Sequence, residues 1–287
     1  MSNVSIAGWR LTRRGFLASG AGALIGSRAM PAAPACTLMA EQEEGPYYLD
    51  GPTLRQDLTE GRPGLPVRLR VVLLDSKGCA PLEGAALDIW HCDALGVYSG
   101  FTPKSPDGRG GPGGPPPGFG GRGPGGPPPR GRGGPGGRAR QVDATRFLRG
   151  VQLTNRNGVA EFNTIYPGWY LGRAIHIHVK VHLGGRAGET GYTGGHVSHT
   201  GQFFFPEEVT AEIARLQPYA TRLELHRTTQ EEDGVFRGQH GSAGMLSLER
   251  IEKGTNEGGF VATIALAVDP EATPDRVGPR GGPRGGE

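Results

Sequence analysis

Residues 164–181, TIYPGWYLGRAIHIHVKV, restrict the possible folds more than any other part of this 287-residue chain. The second half of the stretch is rich in β-branched residues and contains two histidines one residue apart, which predicts a β-strand. Because successive side chains of a strand point to opposite faces, His176 and His178 share one face with Lys180. The other face is apolar and is expected to pack in a core; it carries Ile177, Val179 and Val181.

The paired histidines have two interpretations that the pattern alone leaves open. They could be polar residues on the solvent face of a half-buried strand, or two neutral imidazoles that bind iron, copper, zinc or nickel. The carboxylate that joins two histidines in common Fe(II) sites is missing from the nearby sequence. Tyr170 lies just upstream, after the turn-forming pair Pro167-Gly168. A phenolate from this tyrosine would favour Fe(III).

The remaining chain predicts a mainly β fold. Alternating or β-branched runs predict further strands at residues 66–74, 86–91, 147–154, 159–165, 245–251 and 260–268. Asn157-Gly158, between the third and fourth of these runs, is a strong hairpin signal. Pro206, followed by two acids and an apolar stripe, predicts one helix over residues 206–216. We therefore predict a β-sandwich with one short helix and long loops.

Residues 1–35 predict an export signal. The twin arginines Arg13 and Arg14 precede a short apolar run rich in Ala and Gly, and the run ends at an A-x-A cleavage pattern. The apolar run is too short to span a bilayer. Cleavage would leave Cys36 at the new N-terminus, but Ala33 stands where a lipoprotein signal usually has leucine, so lipid anchoring is the less favoured interpretation. We expect twin-arginine export to the periplasm or the extracellular space.

Residues 36–270 are expected to form one β domain that is interrupted by a segment of unusual composition. Residues 108–138 contain 16 Gly, 9 Pro and 5 Arg among 31 residues. So few apolar side chains cannot offset the entropy of ordering, and we expect disorder. The same composition predicts a disordered tail over residues 271–287. The insertion, which starts soon after Tyr98, could be a tolerated loop or a basic surface for an anionic partner.

Charge and cysteine content limit the possible binding partners and the number of disulfide bonds. The net charge of +3 includes four arginines and no acid in the predicted signal, which leaves −1 for the mature chain (+3 − 4). No basic surface is indicated outside the insertion, so nucleic acid is not an expected partner. The three cysteines permit at most one disulfide after export, and the sequence does not select the pair among Cys36, Cys79 and Cys92.

Three stretches together resemble one enzyme family: residues 164–181, LDIWHCDALGVYSG at residues 87–100 and EEGPYYLD at residues 43–50. They are similar, in the same order, to the intradiol ring-cleavage dioxygenases, with the protocatechuate 3,4-dioxygenase-like subunits as the most similar branch. The resemblance runs from about residue 36 to about residue 268, apart from the insertion, where the family has a much shorter link. It implies a β-sandwich that binds non-haem Fe(III) through two tyrosines and two histidines.

The resemblance also implies roles for individual residues. The implied iron ligands are Tyr98, Tyr170, His176 and His178. Arg173 and Gln202 are the implied catalytic residues that stabilise negative charge on the substrate ring. Tyr170 is expected to accept a catechol proton as well. The implied contacts to the substrate ring are Gly45, Pro46 and Tyr47.

The implied reaction is cleavage of a catechol-type ring by O2 between its two hydroxyl-bearing carbons, which gives a muconate-type diacid. The sequence leaves open whether the substrate is protocatechuate, catechol, hydroxyquinol or a larger plant-derived catechol, and whether the chain forms a homo-oligomer. Two alternatives belong to other classes. One is an exported β-sandwich binding module without catalysis, and the other is a metalloenzyme of different chemistry, such as a cupin-like or extradiol oxygenase.

Overall fold

Two four-stranded sheets form the framework of the protein. The computed structural model describes residues 36–51, 53–102, 138–189, 191–251 and 258–278. The first sheet has the strand order β4-β1-β8-β7 and consists of β1 (Pro66–Asp75), β4 (Val159–Ile165), β7 (Ser247–Ile251) and β8 (Gly259–Val268). Its central pair, β1 and β8, is parallel, and the other pairs are antiparallel. The strands predicted at residues 245–251 and 260–268 are confirmed as β7 and β8, which pair with each other.

The second sheet has the strand order β3-β2-β5-β6 and is antiparallel throughout. It consists of β2 (Ala86–Trp90), β3 (Arg149–Leu153), β5 (His176–Gly188) and β6 (Gly191–Phe204). The last two strands form a long hairpin, so the predicted histidine strand extends well beyond residue 181. Together the two sheets confirm the predicted β-sandwich fold.

The sandwich core lies between the apolar faces of the two sheets. Strand β1 contributes Val67, Leu69 and Val71, and strand β5 contributes Ile177 and Val179, all of them buried in one hydrophobic cluster. The alternation predicted for β5 is therefore confirmed. The histidine face of β5 points away from this core, where a second, smaller cluster of buried side chains covers it.

The turn between β3 and β4 forms as predicted, but the two strands do not form a hairpin. Asn155 N–H donates to Val159 O at 3.0 Å, and Gly158, at φ +70°, donates to Asn155 O at 2.8 Å. However, β3 pairs with β2 and β4 pairs with β1, so the turn joins the two sheets. The hairpin prediction was wrong because the Asn-Gly signal specifies the turn and not the partners of the strands that flank it.

In the described part of the chain, two short α-helices lie outside the sheets. Helix α1 (Glu207–Ile213) lies within the predicted range and has Pro206 at its N-cap and two acids in its first turn. Helix α2 (Gly234–Gly238), with Asp233 as its N-cap, was not predicted because five residues carry no recognisable helical period. Within the part of the chain that the structure describes, no helix has the length and apolar character required to cross a membrane.

The structure selects one of the cysteine pairs that the sequence left open. Cys36 and Cys79 form a disulfide with Cα atoms 5.5 Å apart, and Cys92 is a free, buried thiol. Pairing could not be read from the sequence because it depends on which surface the N-terminal segment follows. That segment runs along the first sheet, where Met39 N–H donates to Ala267 O at 3.0 Å.

Parts of both stretches that were expected to be disordered have defined partners. Arg138, the last residue of the predicted insertion, binds the carboxylates of Glu44 and Asp50 at 2.5 and 2.7 Å. In the predicted tail, Gly278 O accepts a hydrogen bond from Gln239 Nε2 at 3.2 Å. A basic side chain is held at residue 138 because the carboxylate of Glu44 is buried and requires positive charge. Residues 108–137 and 279–287, and the predicted signal at residues 1–35, lie outside the described residues.

Candidate metal centre

The second sheet forms one wall of the predicted site. His176 and His178 lie on the face of β5 that points away from the core, and both side chains are buried. Gln202 of β6 pairs directly with His178, so its side chain lies on the same face. Trp90 of β2 pairs with His178 on the other side. Four of the side chains around the site are thus positioned by a rigid three-strand unit.

Two loops carry the tyrosines to this wall, one through Ala94 and Gly96 and the other through Gly168. The backbones of these loops pack unusually closely. Gly168 N–H donates to Asp93 O at 3.0 Å, and a Cβ atom at Gly168 would lie 2.3 Å from Ala94 O. Gly96, at φ +76°, meets the backbone of Trp169 in the same way. A side chain at either glycine would separate the loops. Their contact places Tyr98, which follows one loop, beside Tyr170 in the other.

The four predicted ligands form one continuous group. The Nε2 atoms of His176 and His178 lie 3.0 Å apart, Tyr170 Oη lies 3.3 Å from His176 Nε2, and Tyr98 Oη lies 3.4 Å from Tyr170 Oη. Ligand atoms about 2.1 Å from a first-row metal ion, at angles of about 90 to 110°, lie about 3.0 to 3.4 Å from one another. The spacing of the two oxygens and two nitrogens therefore fits a single metal ion.

Protonation of the group also fits a metal site. His176 Nδ1 lies 2.6 Å from Ala174 O, and a carbonyl can only accept, so the proton is on Nδ1 and the lone pair of Nε2 points to the other ligands. Burial, reinforced by the Arg173 cation, lowers the pKa of His176 to about 3. Burial and the neighbouring His176 lower the pKa of His178 as well. Both imidazoles are therefore neutral at physiological pH and can each offer a nitrogen lone pair to a metal ion.

The donor set is distinctive. Within the described residues, no three His, Cys, Asp or Glu side chains form a metal-binding group. The two remaining donors are phenols, and burial raises the pKa of Tyr98 and of Tyr170 far above the ordinary value for tyrosine. Once deprotonated by a bound metal, two hard phenolate oxygens with two imidazoles would favour a trivalent metal over the softer ions that the paired histidines alone would allow.

His178 is held by packing and not by a second hydrogen bond. Its ring stacks on Trp90, with centroids 4.8 Å apart and planes inclined by 2°. On another side, Gly45, at φ +72°, is so close that a Cβ atom there would lie 3.1 Å from His178 Cε1. Nδ1 of His178 has no hydrogen-bond partner among the residues that the structure describes. The orientation of this ring therefore depends on the two surfaces that enclose it.

Arg173 and Gln202, the predicted catalytic pair, are in direct contact. Arg173 Nη2 donates to Gln202 Oε1, and Gln202 Nε2 donates to Glu43 O at 3.0 Å. The guanidinium is buried and also faces the carboxylates of Asp233 at 3.1 Å and Glu43 at 3.5 Å. Burial alone lowers the pKa of Arg173, but these carboxylates outweigh it and raise the pKa above its ordinary value. The side chain is therefore a permanent cation.

The segment that carries the predicted substrate contacts lies across the site. Gly45 touches His178, as described above, and the ring of Tyr47 stacks on Tyr98 with centroids 4.6 Å apart. Pro46 contributes its carbonyl, which accepts from Ala139 N–H at 2.8 Å. All three residues are thus adjacent to the ligand group or to the chain that packs over it.

A buried ion cluster fixes the start of this segment. Glu44 contacts Lys180 Nζ, and Lys180 is the next residue after His178 on the same face of β5. Arg138 donates to both oxygens of the Glu44 carboxylate, at 2.5 and 3.1 Å. Burial raises the pKa of Glu44, but Arg138 and Lys180 outweigh this and lower it. The point at which the predicted insertion rejoins the fold is therefore tied to the substrate-contact segment.

Sequence reasoning missed four residues that support the site. Glu43 and Asp233 neutralise Arg173, Gln239 receives Glu43 N–H at 2.8 Å on its Oε1, and Trp90 supports His178. Glu43 and Trp90 lie in the stretches 43–50 and 87–100 that carry the resemblance, whereas Asp233 and Gln239 lie in neither of them. The contacts of Asp233 and Glu43 with Arg173 span 60 and 130 residues, and that of Gln239 with Glu43 spans 196, so local pattern does not indicate them.

Comparison with solved structures finds similar proteins, two of which are dioxygenases of nearly the same length as the matched region. The intradiol ring-cleavage dioxygenase from Tetranychus urticae is 29% identical, with a TM-score of 0.64, over 83% of this chain and 98% of that one. The dioxygenase Tetur07g02040 is 30% identical, also with a TM-score of 0.64, over 83% of this chain and 97% of that one. Neither a protein-family model nor a curated protein matches this sequence.

Proposed function

The chain belongs to the intradiol ring-cleavage dioxygenase family, and from this we propose that it is a non-haem Fe(III) enzyme that opens catechol-type rings. The proposed reaction inserts both atoms of O2 and breaks the bond between the two hydroxyl-bearing carbons, which yields a muconate-type diacid. The observation that supports it most strongly is the group of two phenols and two neutral imidazoles with neighbouring donor atoms 3.0 to 3.4 Å apart.

The proposed iron ligands are Tyr98, Tyr170, His176 and His178. Iron(III) bound there would act as a Lewis acid that withdraws electron density from a chelated catechol and makes a ring carbon reactive towards O2. The phenols are protonated in the metal-free protein because burial raises their pKa, so metal binding must release a proton from each Oη. Tyr170 Oη lies between Tyr98 Oη and His176 Nε2, where it can accept a proton from an incoming catechol hydroxyl.

Arg173 and Gln202 are proposed to stabilise negative charge on the reacting ring. Both are buried, and they are fixed to each other and to the backbone of Glu43. Gln202 pairs with His178 across the two strands, which places the pair beside the ligand group. Oriented donors in a dry site stabilise developing charge without having to reorganise during the reaction.

The proposed substrate class is a small catechol-type ring that binds against Gly45, Pro46 and Tyr47. Gly45 has no side chain to obstruct the approach to His178, and Tyr47 presents an aromatic ring next to Tyr98. An aromatic surface suits stacking of a flat ring. The individual catechol is not specified by these contacts.

Export by the twin-arginine route is also part of the proposal. The disulfide between Cys36 and Cys79 supports it, because such bonds persist in oxidising compartments. A Cys36 whose sulfur is bonded to Cys79 has no thiol for a lipid anchor. We therefore propose a periplasmic or extracellular enzyme without a lipid at its N-terminus.

The visible spectrum of the purified mature protein tests the proposed function directly. We expect a red-brown absorption band from tyrosinate-to-Fe(III) charge transfer, a shift of the band when catechol is added without oxygen, and a ring-opened diacid when oxygen is admitted. A protein that stays colourless after reconstitution with ferric iron would refute the ligand assignment. An exported binding module would then be the better description.

A further inference from the structure

The guanidinium of Arg173 is held at each of its three nitrogens. Nε donates to both oxygens of Asp233 at 3.1 and 3.2 Å, Nη1 faces Glu43 Oε1 at 3.5 Å, and Nη2 donates to Gln202. Only the last of these contacts involves a residue of the proposed reaction. The other two come from carboxylates 60 and 130 residues away in the sequence.

Asp233 is placed to fix the direction of this guanidinium. Its side chain is fully buried, and Oδ2 also accepts the backbone N–H of Ala174 at 2.9 Å, so Asp233 holds both the side chain of Arg173 and the next peptide. Ala174 in turn supplies the carbonyl that orients His176. Oδ1 caps helix α2 through Val235 N–H at 2.7 Å, which anchors the carboxylate itself.

A flexible arginine needs such an anchor to keep a donor aimed at one place. Arginine has several rotatable bonds, and a guanidinium held along its Nε edge retains one orientation of the Nη atoms. In this site the Nη2 atom then reaches Gln202, which lies opposite His178. Displacement of the guanidinium by about 1 Å would reduce its interaction with a charge that develops only in the reaction.

We propose that Asp233 is a positioning residue of the ring-cleavage site: it acts through Arg173 to orient the Arg173–Gln202 pair, and it touches neither substrate nor metal. This rests on the proposed function. The proposal gives the Asp233 carboxylate a role in the reaction, in addition to capping α2 and neutralising the buried Arg173 cation.

Asp233→Asn is the sharpest test because the two oxygens have different partners. The remaining amide oxygen can still cap α2, whereas the new NH2 group in place of Oδ2 would face two donors, Ala174 N–H and Arg173 Nε–H. We expect iron content and the anaerobic affinity for catechol to stay within about threefold of the wild type. The reaction of the preformed catechol complex with O2, followed by stopped-flow absorbance, should slow by about 10- to 100-fold.

A double-mutant cycle separates positioning from general destabilisation. If Asp233 acts through Arg173, Asp233→Asn should change the oxygen step by less than about twofold in an Arg173→Ala background. Thr154→Val is the stability control. Thr154 Oγ1 accepts Ala85 N–H at 3.0 Å, and the residue follows the end of β3, about 16 Å along the extended chain from the residue that pairs with Trp90. It should lower the melting temperature and leave the oxygen step unchanged.

The outcomes are distinguishable. A wild-type rate of the oxygen step in folded Asp233→Asn, or an equal slowing in both backgrounds, would overturn the proposal. Asp233→Ser keeps a helix-capping oxygen and serves if the asparagine variant does not fold; a wild-type oxygen step in this variant would overturn the proposal equally. If the wild-type protein gives no ring-opened product from catechol, protocatechuate or hydroxyquinol, the proposed function fails before any variant is compared.

Discussion

Trp90 and His178 lie face to face, with their ring planes 2° from parallel and 4.8 Å between centroids. They come from adjacent antiparallel strands at directly paired positions, so the sheet itself sets the contact. His176 is oriented by a hydrogen bond to a carbonyl, whereas His178 is oriented by this stacked ring and by Gly45. The two imidazoles therefore respond differently to substitution of their neighbours.

Replacement of Trp90 by Leu should loosen iron binding. The variant loses the flat surface on which His178 rests, and supporting contacts of this kind typically contribute about 10- to 100-fold to metal affinity. Iron retention during titration with a ferric chelator measures the change. Trp90→Phe retains an aromatic surface and should lie between Trp90→Leu and the wild type. Equal iron retention in all three proteins would show that the stacking does not orient the ligand.

Gly45→Ala should disturb the site by more than its backbone strain. The residue has φ +72°, and a Cβ atom would lie 3.1 Å from His178 Cε1. Gly61 is a matched control, because it has φ +73° and open space around its Cβ position. Both alanine variants should lose about 1 kcal/mol of unfolding free energy from the left-handed conformation. Only Gly45→Ala should shift the charge-transfer band and weaken catechol binding. A band shift of the same size in Gly61→Ala would contradict the assignment.

Tyr170→Phe and His178→Ala should each reduce turnover of catechol by at least about 100-fold, because each removes a ligand and Tyr170 is also the proposed proton acceptor. Tyr192→Phe and His196→Ala are the controls. Tyr192 Oη accepts a hydrogen bond from Gly185 N–H in the β5–β6 hairpin, and His196 Nε2 contacts Pro270 O. Both controls should retain activity. Normal turnover in either ligand variant would refute the site.

Loss of the disulfide should lower stability without changing the chemistry. Cys36 and Cys79 are 43 residues apart in the sequence, and a closed loop of that length stabilises a fold by about 4 kcal/mol in the chain-entropy model. A Cys36→Ser, Cys79→Ser double variant should unfold at lower urea concentration. Reductant should have the same effect on the wild type and none on the variant. Three reactive thiols in the unfolded, non-reduced wild-type protein would show that the bond does not form.

The sequence predicted what short-range pattern controls. The alternation of β5 is set by residues two apart, so the buried position of Val179 and the shared face of the two histidines followed from the sequence alone. The two tyrosines proposed as ligands were identified only through the resemblance, because nothing local distinguishes Tyr98 from a core tyrosine. The structure brings them to the histidines through glycine contacts between loops, which no periodicity records.

Long-range pairing accounts for what the sequence did not predict. The turn at Gly158 was identified, but the assignment of its two flanking strands to different sheets depends on the rest of the sandwich. Asp233 and Arg173 are 60 residues apart in the sequence and meet because the N-cap of α2 lies against the residues just before β5. Arg138 belongs by composition to the Gly/Pro/Arg insertion, but its side chain binds the carboxylate of Glu44. An argument from the composition of a segment cannot detect one specific contact of this kind.

The position of the site on the outer face of the second sheet separates folding from metal loading. The apolar face of β5 belongs to the sandwich core, whereas Tyr98 and Trp90 belong to a separate hydrophobic cluster on the other face of the sheet, so we expect the framework to assemble before iron binds. We expect the metal-free chain to be folded, with the oxygen and nitrogen atoms of the four proposed ligands already close together. Iron would then bind as a late step of maturation. Substitution of one proposed ligand would then abolish activity without unfolding the β-sandwich.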